Sequence, residues 1–363
     1  VTTARALVLE APRQLVARDL PVPDVGDDDG VLRVEACGLC GTDHEQYTGA
    51  LAVGRPFIPG HEIVGVIEAV GPSAAKRWDV AVGDRVAVEP FQSCRACPAC
   101  AAGDYRHCER HGLATAYGFV GVDHAPGLWG GYAEVAYLGP DAVLLPVPAG
   151  LDPALATVFN PLGAGIRWAV DLPGTQAGDV VAVLGPGIRG LCAAAAAKDA
   201  GAEFVMITGA GERDAERLAL AAAFGADLAV DVTTTDPVAA LRHGAGRLAD
   251  VVVDVTAKAP AAFTQSLQLA RRGGTVVVAG TRGWDAIEGF SPDLIVFKEL
   301  HVIGALGVDA EAYRPALAML AAGRYPFDAL PRRCAGLDHA EDLLRAMAGD
   351  GDDVAPVHAV VVP

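Results

Sequence analysis

The chain has 363 residues, 52% of them hydrophobic and 20% charged, so two globular domains with sizeable cores are expected. No apolar run reaches the roughly 18 residues of a membrane-spanning helix. A net charge of −17 argues against a nucleic-acid partner, because phosphate-backbone binders rely on basic patches that release counterions. No basic stretch followed by an apolar one opens the sequence, and the reading is of a soluble cytoplasmic protein without membrane partners.

The first part of the chain reads as short β-rich runs broken by Gly and Pro, at 5–9, 31–36, 63–70, 85–88, 132–137 and 142–146, which predicts a compact β-rich domain. Two motifs lie within it, Cys37-Gly38-Leu39-Cys40-Gly41-Thr42-Asp43 and Pro59-Gly60-His61-Glu62. Cys40 is a soft ligand, His61 a borderline one and Glu62 a hard one, a mixture suited to an open zinc site.

Cys94, Cys97, Cys100 and Cys108 follow, four of only eight cysteines, in a turn-rich segment. Four thiolates at this spacing can close a tetrahedron around Zn²⁺ and leave no place for water or substrate, so the site builds structure. An iron–sulfur cluster is the competing reading.

Helical signals begin at Asp152, with Pro153 at the first helical position. From residue 179 onward apolar strands at 180–184, 204–208, 228–232, 250–255, 275–279 and 302–305 alternate with helical segments, the pattern of βαβ units on a parallel sheet. Between the first strand and its helix stands Gly185-Pro186-Gly187-Ile188-Arg189-Gly190. In that setting the glycines serve a tight turn, close approach to a pyrophosphate, and close packing of helix on strand. An NAD-specific unit places Asp or Glu at the end of the next strand, but here it ends Ile207-Thr208-Gly209. Thr208, Gly209 and Arg213 favour a 2′-phosphate and hence NADP over NAD, with Glu212 as a rival ribose partner. Segments 312–322, 340–347 and 359–362 are read as returning to the first domain.

Taken in order, Cys40-Gly41-Thr42-Asp43, Gly60-His61-Glu62, the four-thiol lobe and the glycine fingerprint, with Gly83-Asp84-Arg85-Val86 and Gly130-Gly131-Tyr132-Ala133-Glu134, resemble the zinc-dependent medium-chain alcohol dehydrogenase/reductase family. The match spans essentially the whole chain and is closest to its polyol and threonine dehydrogenase-like branch. The resemblance implies an α/β protein. A β-rich GroES-like catalytic domain would take residues 1–155 and 306–363, with a structural zinc lobe at about 90–112, and a Rossmann doubly wound parallel-sheet domain residues 156–305. It implies one structural and one catalytic zinc, with Cys40 and His61 as ligands and Glu62 either a ligand or a carboxylate exchanging with water. Asp43 would orient His61, and Thr42 would contact the alcohol and begin the proton relay. Gly185, Gly187, Ile188 and Gly190 would hold the dinucleotide.

Two positions depart from the family pattern. Asn160 stands about 25 residues before Gly185, where a Cys, Asp or Glu is usual, and a neutral amide oxygen is a poor zinc ligand. Five residues after Cys40 many relatives carry His, whereas this chain has Glu45, the candidate distal base. The expected activity is hydride transfer between a secondary alcohol or polyol and NAD(P) by a homodimer or homotetramer. Tyr47, Phe57, Phe91, Trp129 and the surroundings of Leu306 are candidate pocket walls. The alternatives are a zinc-free enone or quinone reductase of the same fold, or a nucleotide-binding protein without turnover.

Overall fold

A computed structural model describes residues 2–282, 287, 290–350 and 355–363. The chain divides into two compact units: residues 1–160, 309–323 and 327–363 form the first, and residues 161–308 with 324–326 the second. The first stretch thus runs past the expected boundary at 155.

The first unit begins with an antiparallel pair, β1 (Thr3–Ala11) and β2 (Gln14–Pro21). β2 was not expected: its residues are mostly exposed, so no buried face marks it in the sequence. The main sheet is built on β3 (Gly30–Leu39), which pairs antiparallel with β4 (Glu62–Val70) and, along its first residues, with β6 (Val135–Leu138). β5 (Arg85–Val88) and β7 (Leu144–Pro146) extend the β4 side. The strand expected at 132–137 starts only at Val135. Residues 132–134 bridge to β1 instead: the Leu7 N–H donates to Tyr132 O at 2.8 Å and the Glu134 N–H to Arg5 O at 2.9 Å, on either side of an isolated Ala6–Ala133 bridge. Leu32, Ile63, Ile67, Leu128, Tyr132 and Leu138 are fully buried in this unit's core, each such side chain contributing about 1.5–3 kcal/mol.

In the second unit β8 (Val180–Leu184), β9 (Phe204–Gly209), β10 (Leu228–Asp231), β11 (Ala249–Asp254), β12 (Ala270–Val278) and β13 (His301–Gly304) form a parallel sheet in the order β10-β9-β8-β11-β12-β13. Every residue of β8 is buried, as expected of a central strand covered on both faces. Helix Ile188–Asp199 buries an unbroken run from Gly190 to Ala197. Small side chains let it sit close: a Cβ on Gly165 would lie 2.6 Å from the Cys192 carbonyl carbon. The order reverses between β8 and β11, the point at which such sheets open a ligand crevice.

The chain then returns to the first unit through helix Ala310–Ala322, β14 (Arg332–Ala335), helix Ala340–Ala348 and β15 (His358–Val361). β15 pairs antiparallel with the end of β3 at Cys37–Leu39. Among the described residues no helix is long and apolar enough to cross a membrane.

Candidate functional site

β3 ends at Leu39, and the next residue, Cys40, is the N-cap of helix Gly41–Thr48. Its thiol accepts from the Thr42 N–H at 3.3 Å, while Asp43 Oδ2 accepts from the Cys40 N–H at 2.9 Å, a reciprocal capping box with sulfur in the usual hydroxyl's place. The helix is polar and short, so no apolar stripe announces it in the sequence. Asp43, 1% exposed, also takes the Gly60 N–H on Oδ1 at 3.2 Å, and the same oxygen lies 3.7 Å from His61 Nδ1. One carboxylate thus fixes the cap and the approach to the imidazole together.

His61 Nε2 stands 3.2 Å from Cys40 Sγ. A tetrahedral zinc with S and N ligands has that edge at about 3.6 Å. Glu62 joins them: one ligand atom from each of Cys40, His61 and Glu62 lies within 4.8 Å of the others, and all three residues are buried. Glu62 faces Gly38 across the β3–β4 register, and a Cβ on Gly38 would sit 2.3 Å from Glu62 Oε2. The missing side chain makes the space the carboxylate fills. A thiol, an imidazole and a carboxylate gathered out of water are a costly set unless a cation joins them, and their mixture fits zinc.

The remaining candidates from the sequence fall differently. Thr42 and Glu45 are half-buried on helix Gly41–Thr48, and Glu45 is not part of the ligand cluster. Asn160 is buried, and its amide donates to the Tyr313 hydroxyl at 2.9 Å. That partner, 153 residues away, leaves no trace in the sequence. Tyr47, Phe57 and Trp129 belong to the first unit's hydrophobic core, Phe91 is buried, and Leu306 is 57% exposed.

The four cysteines converge as their spacing predicts. Cys94 and Cys100 place their sulfurs 3.7 Å apart, Cys97 and Cys108 theirs 4.0 Å apart, against about 3.8 Å for the edge of a tetrahedron with 2.3 Å Zn–S bonds. At Cys108 burial opposes ionisation, but backbone groups of Cys94, Arg110 and His111 outweigh it and hold the thiol down to about 6. Backbone groups of Glu109 and Cys100 lower Cys97 as well, while burial lifts Cys100 to about 11. Ionising all four together calls for a cation in their midst, and four thiolates at this spacing fit zinc.

Unforeseen in the sequence is the anchor beneath the lobe. The Tyr105 hydroxyl donates to Glu89 Oε2 at 2.8 Å and accepts from the Ala310 N–H at 2.6 Å, and Arg106 donates to Asp309 Oδ2 at 2.7 Å. The lobe is thereby tied to the start of helix Ala310–Ala322. Glu89 is fully buried, and burial pushes its carboxyl up to about 8.

In the second unit Gly185 follows β8 at φ +101°, and Gly190 allows no side chain, since a Cβ there would lie 1.8 Å from Gly185 O. Gly187 is different. It is the N-cap of helix Ile188–Asp199, no side chain caps that end, and a Cβ on it would meet nothing within 4 Å. The open helix start, with Ile188 first in it, is an anion site in waiting. Thr208 is buried in β9 opposite Leu184, and Gly209 closes the strand. Arg213 is exposed in the first turn of helix Glu212–Leu220. Two carboxylates flank that turn, but both serve the backbone: Asp214 takes the Ala210 N–H and Asp231 the Gly211 N–H, each at 2.9 Å.

The family profile "Alcohol dehydrogenase GroES-like domain" matches residues 26–149, and "Zinc-binding dehydrogenase" matches residues 190–322. The chain is 68% identical over 360 residues to a probable alcohol dehydrogenase of Mycobacterium tuberculosis, covering 99% of this chain and 98% of that protein. It is 33% identical over 326 residues to sorbitol dehydrogenase of Bacillus subtilis, covering 88% and 86%. A crystal structure of a putative zinc-binding dehydrogenase from Sinorhizobium meliloti bound to NADP superposes with a TM-score of 0.85 at 31% identity, covering 100% of both chains. With its GroES-like and Rossmann-like units, the chain belongs to the zinc-binding alcohol dehydrogenases of the medium-chain dehydrogenase/reductase family, NAD(P)-dependent oxidoreductases of alcohols.

Proposed function

We propose that the protein interconverts a secondary alcohol or polyol with the matching carbonyl compound, using a catalytic zinc on Cys40, His61 and Glu62 and a second, structural zinc on Cys94, Cys97, Cys100 and Cys108. The observation that carries this reading is the 3.2 Å approach of Cys40 Sγ to His61 Nε2 with the Glu62 carboxylate beside them. The sorbitol dehydrogenase of Bacillus subtilis among its relatives supports the polyol branch.

Zinc held there would act as a Lewis acid on the substrate oxygen, lowering the alcohol's pKa in one direction and polarising the carbonyl in the other. A bound nicotinamide would supply or take up the hydride. The chain's own residues do the rest. Asp43 lies 3.7 Å behind His61 Nδ1, where its carboxylate would favour the orientation that leaves Nε2 to the metal. Thr42, two residues from Cys40 and half-buried, passes the hydroxyl proton outward, with Glu45 one turn on as its acceptor. Asn160, its amide nitrogen engaged with Tyr313, is a poor ligand and leaves a zinc position to water or substrate.

Gly185, Gly187, Ile188 and Gly190 receive the pyrophosphate, and the preferred cofactor is NADP. An exposed Arg213, no acid at the end of β9 and the NADP-bound Sinorhizobium meliloti structure support that preference. The working protein is a homodimer or homotetramer: Val296 and Phe297, 68% and 75% exposed, lie in the helix just before β13, the edge strand of its sheet. Zinc on four thiolates requires reduced cysteines, which fits the cytoplasm. Metal analysis with an alcohol panel under NADP and NAD tests the whole: two zinc per chain and turnover of a secondary alcohol or polyol with NADP are expected. One zinc per chain, or a clear NAD preference, would overturn the corresponding part.

A further inference from the structure

At the point where the sheet order reverses, a buried ion pair has no part in the chemistry described so far. Asp254 is the last residue of β11, is 0% exposed, and sits in register with Leu184, the residue before Gly185. Its Oδ2 is paired with the guanidinium of Arg282, which is itself nearly buried. Its Oδ1 accepts from the Thr256 N–H at 3.1 Å and the Thr256 hydroxyl at 2.6 Å.

Arg282 is fully engaged. It donates to Thr256 Oγ1 at 3.1 Å, to Gly280 O at 2.8 Å and to Ala259 O at 3.2 Å. Gly280 is held so closely against the loop after β11 that a Cβ on it would lie 1.8 Å from Thr256 O. Thr256 in turn faces the fingerprint turn, since a Cβ on Gly185 would sit 3.2 Å from Thr256 Cγ2. The loops after β11 and β12 are therefore locked to each other and abut the turn after β8.

A buried ion pair is a poor means of stabilising a fold, because desolvation offsets most of its attraction, and its better-attested use is fixing one geometry. Here the geometry concerns one half of the crevice. The acid-or-phosphate selection of the adenosine ribose belongs to the β8–β9 side, which leaves the β11–β12 side to the nicotinamide mononucleotide. We propose that the Asp254–Arg282 pair is a positioning device that shapes the nicotinamide half of the dinucleotide site without touching the cofactor. The proposal rests on the reading that the dinucleotide binds over Gly185–Gly190.

Calorimetric titration of the full chain tests it, with NADPH and NADH and with fragments carrying only the adenosine half, 2′,5′-ADP and AMP. Asp254→Asn and Arg282→Met are each expected to raise the Kd for NADPH about tenfold or more, since either change leaves a buried partner unmatched. The Kd for 2′,5′-ADP should stay within about twofold, and the NADPH to NADH preference should not move, because neither change reaches the β9 side. Arg282→Lys, which keeps the charge but loses the fork, should recover part of the loss. If a single variant does not fold, the double variant Asp254→Asn/Arg282→Met, which buries no lone charge, carries the measurement.

Unchanged NADPH affinity in folded variants overturns the proposal. So does an equal weakening of NADPH and 2′,5′-ADP, which marks a general loss of structure. Gly187→Ala separates the proposal from the reading beneath it. The space around that position is empty, so the fold tolerates alanine, and only a dinucleotide approaching the turn can feel it. If Gly187→Ala leaves NADPH affinity intact, the reading of the site fails and the proposal with it; if it weakens binding while Asp254→Asn does not, only the role of the ion pair is refuted.

Discussion

Cys94, Cys97, Cys100 and Cys108 come from one short segment, whereas Cys40 comes from the helix N-cap after β3, and His61 and Glu62 come from the start of β4 about twenty residues on. In the lobe the ligand spacing itself brings the sulfurs together, and the surrounding turns supply backbone groups that favour thiolates. In the other cluster nothing local brings the ligands together. The β3–β4 register, the gap at Gly38 and the two-handed Asp43 do so. Closed local sites lend stability, while open ones assembled by the fold borrow it and keep a position for chemistry.

That contrast can be broken most forcefully at the lobe. Cys97→Ser should remove one zinc per chain and most of the folded protein with it, because zinc-binding free energies of order 10 kcal/mol act as folding free energy; melting and metal content together check this, and a stable one-zinc enzyme would contradict it. At the open site the opposite split is expected. His61→Ala should cut kcat at least about a thousandfold, the scale of losing Lewis-acid catalysis, with a melting temperature close to that of the parent.

A smaller effect concerns the lobe's anchor. Glu89 has its carboxyl raised to about 8 by burial, so the folded state binds a proton that the unfolded state releases near the ordinary value of about 4.3. Its stabilising contribution is complete below that lower value and is lost as pH rises towards 8. Denaturant melts of the parent should therefore lose up to about 5 kcal/mol across that window from this group, and Glu89→Gln should flatten the profile. A parallel decline in both proteins would refute the assignment. Smallest is Asp43→Asn, where loss of the carboxylate behind His61 should lower catalytic-zinc affinity or kcat about 10- to 100-fold. Competition with a chelator reads the first and steady-state rates the second.

The lobe was legible in the sequence because spacing is its geometry, and the parallel sheet because β8, β9 and β11 are apolar runs with turn glycines between helices. The convergence of Cys40, His61 and Glu62 was foreshadowed by their donor types, and their roles by resemblance alone. Helix Gly41–Thr48 escaped, being polar, although Cys40 and Asp43 stand at capping-box spacing; sulfur in place of a hydroxyl hid the signal. β2 and the late start of β6 escaped because exposure and the bridging of residues 132–134 to β1 are tertiary facts. Asn160 with Tyr313, and Asp254 with Arg282, pair across spans that no window of sequence contains.

Among the described residues, every clustered candidate metal ligand lies before residue 109, while β15, which flanks β3, follows the dinucleotide-binding unit. During synthesis the thiols and His61 leave the ribosome before β15 is made. Metal delivery and the closing of the main sheet would then be separate events in time, and the nascent chain already carries both candidate metal-binding sets before the dinucleotide-binding unit is translated.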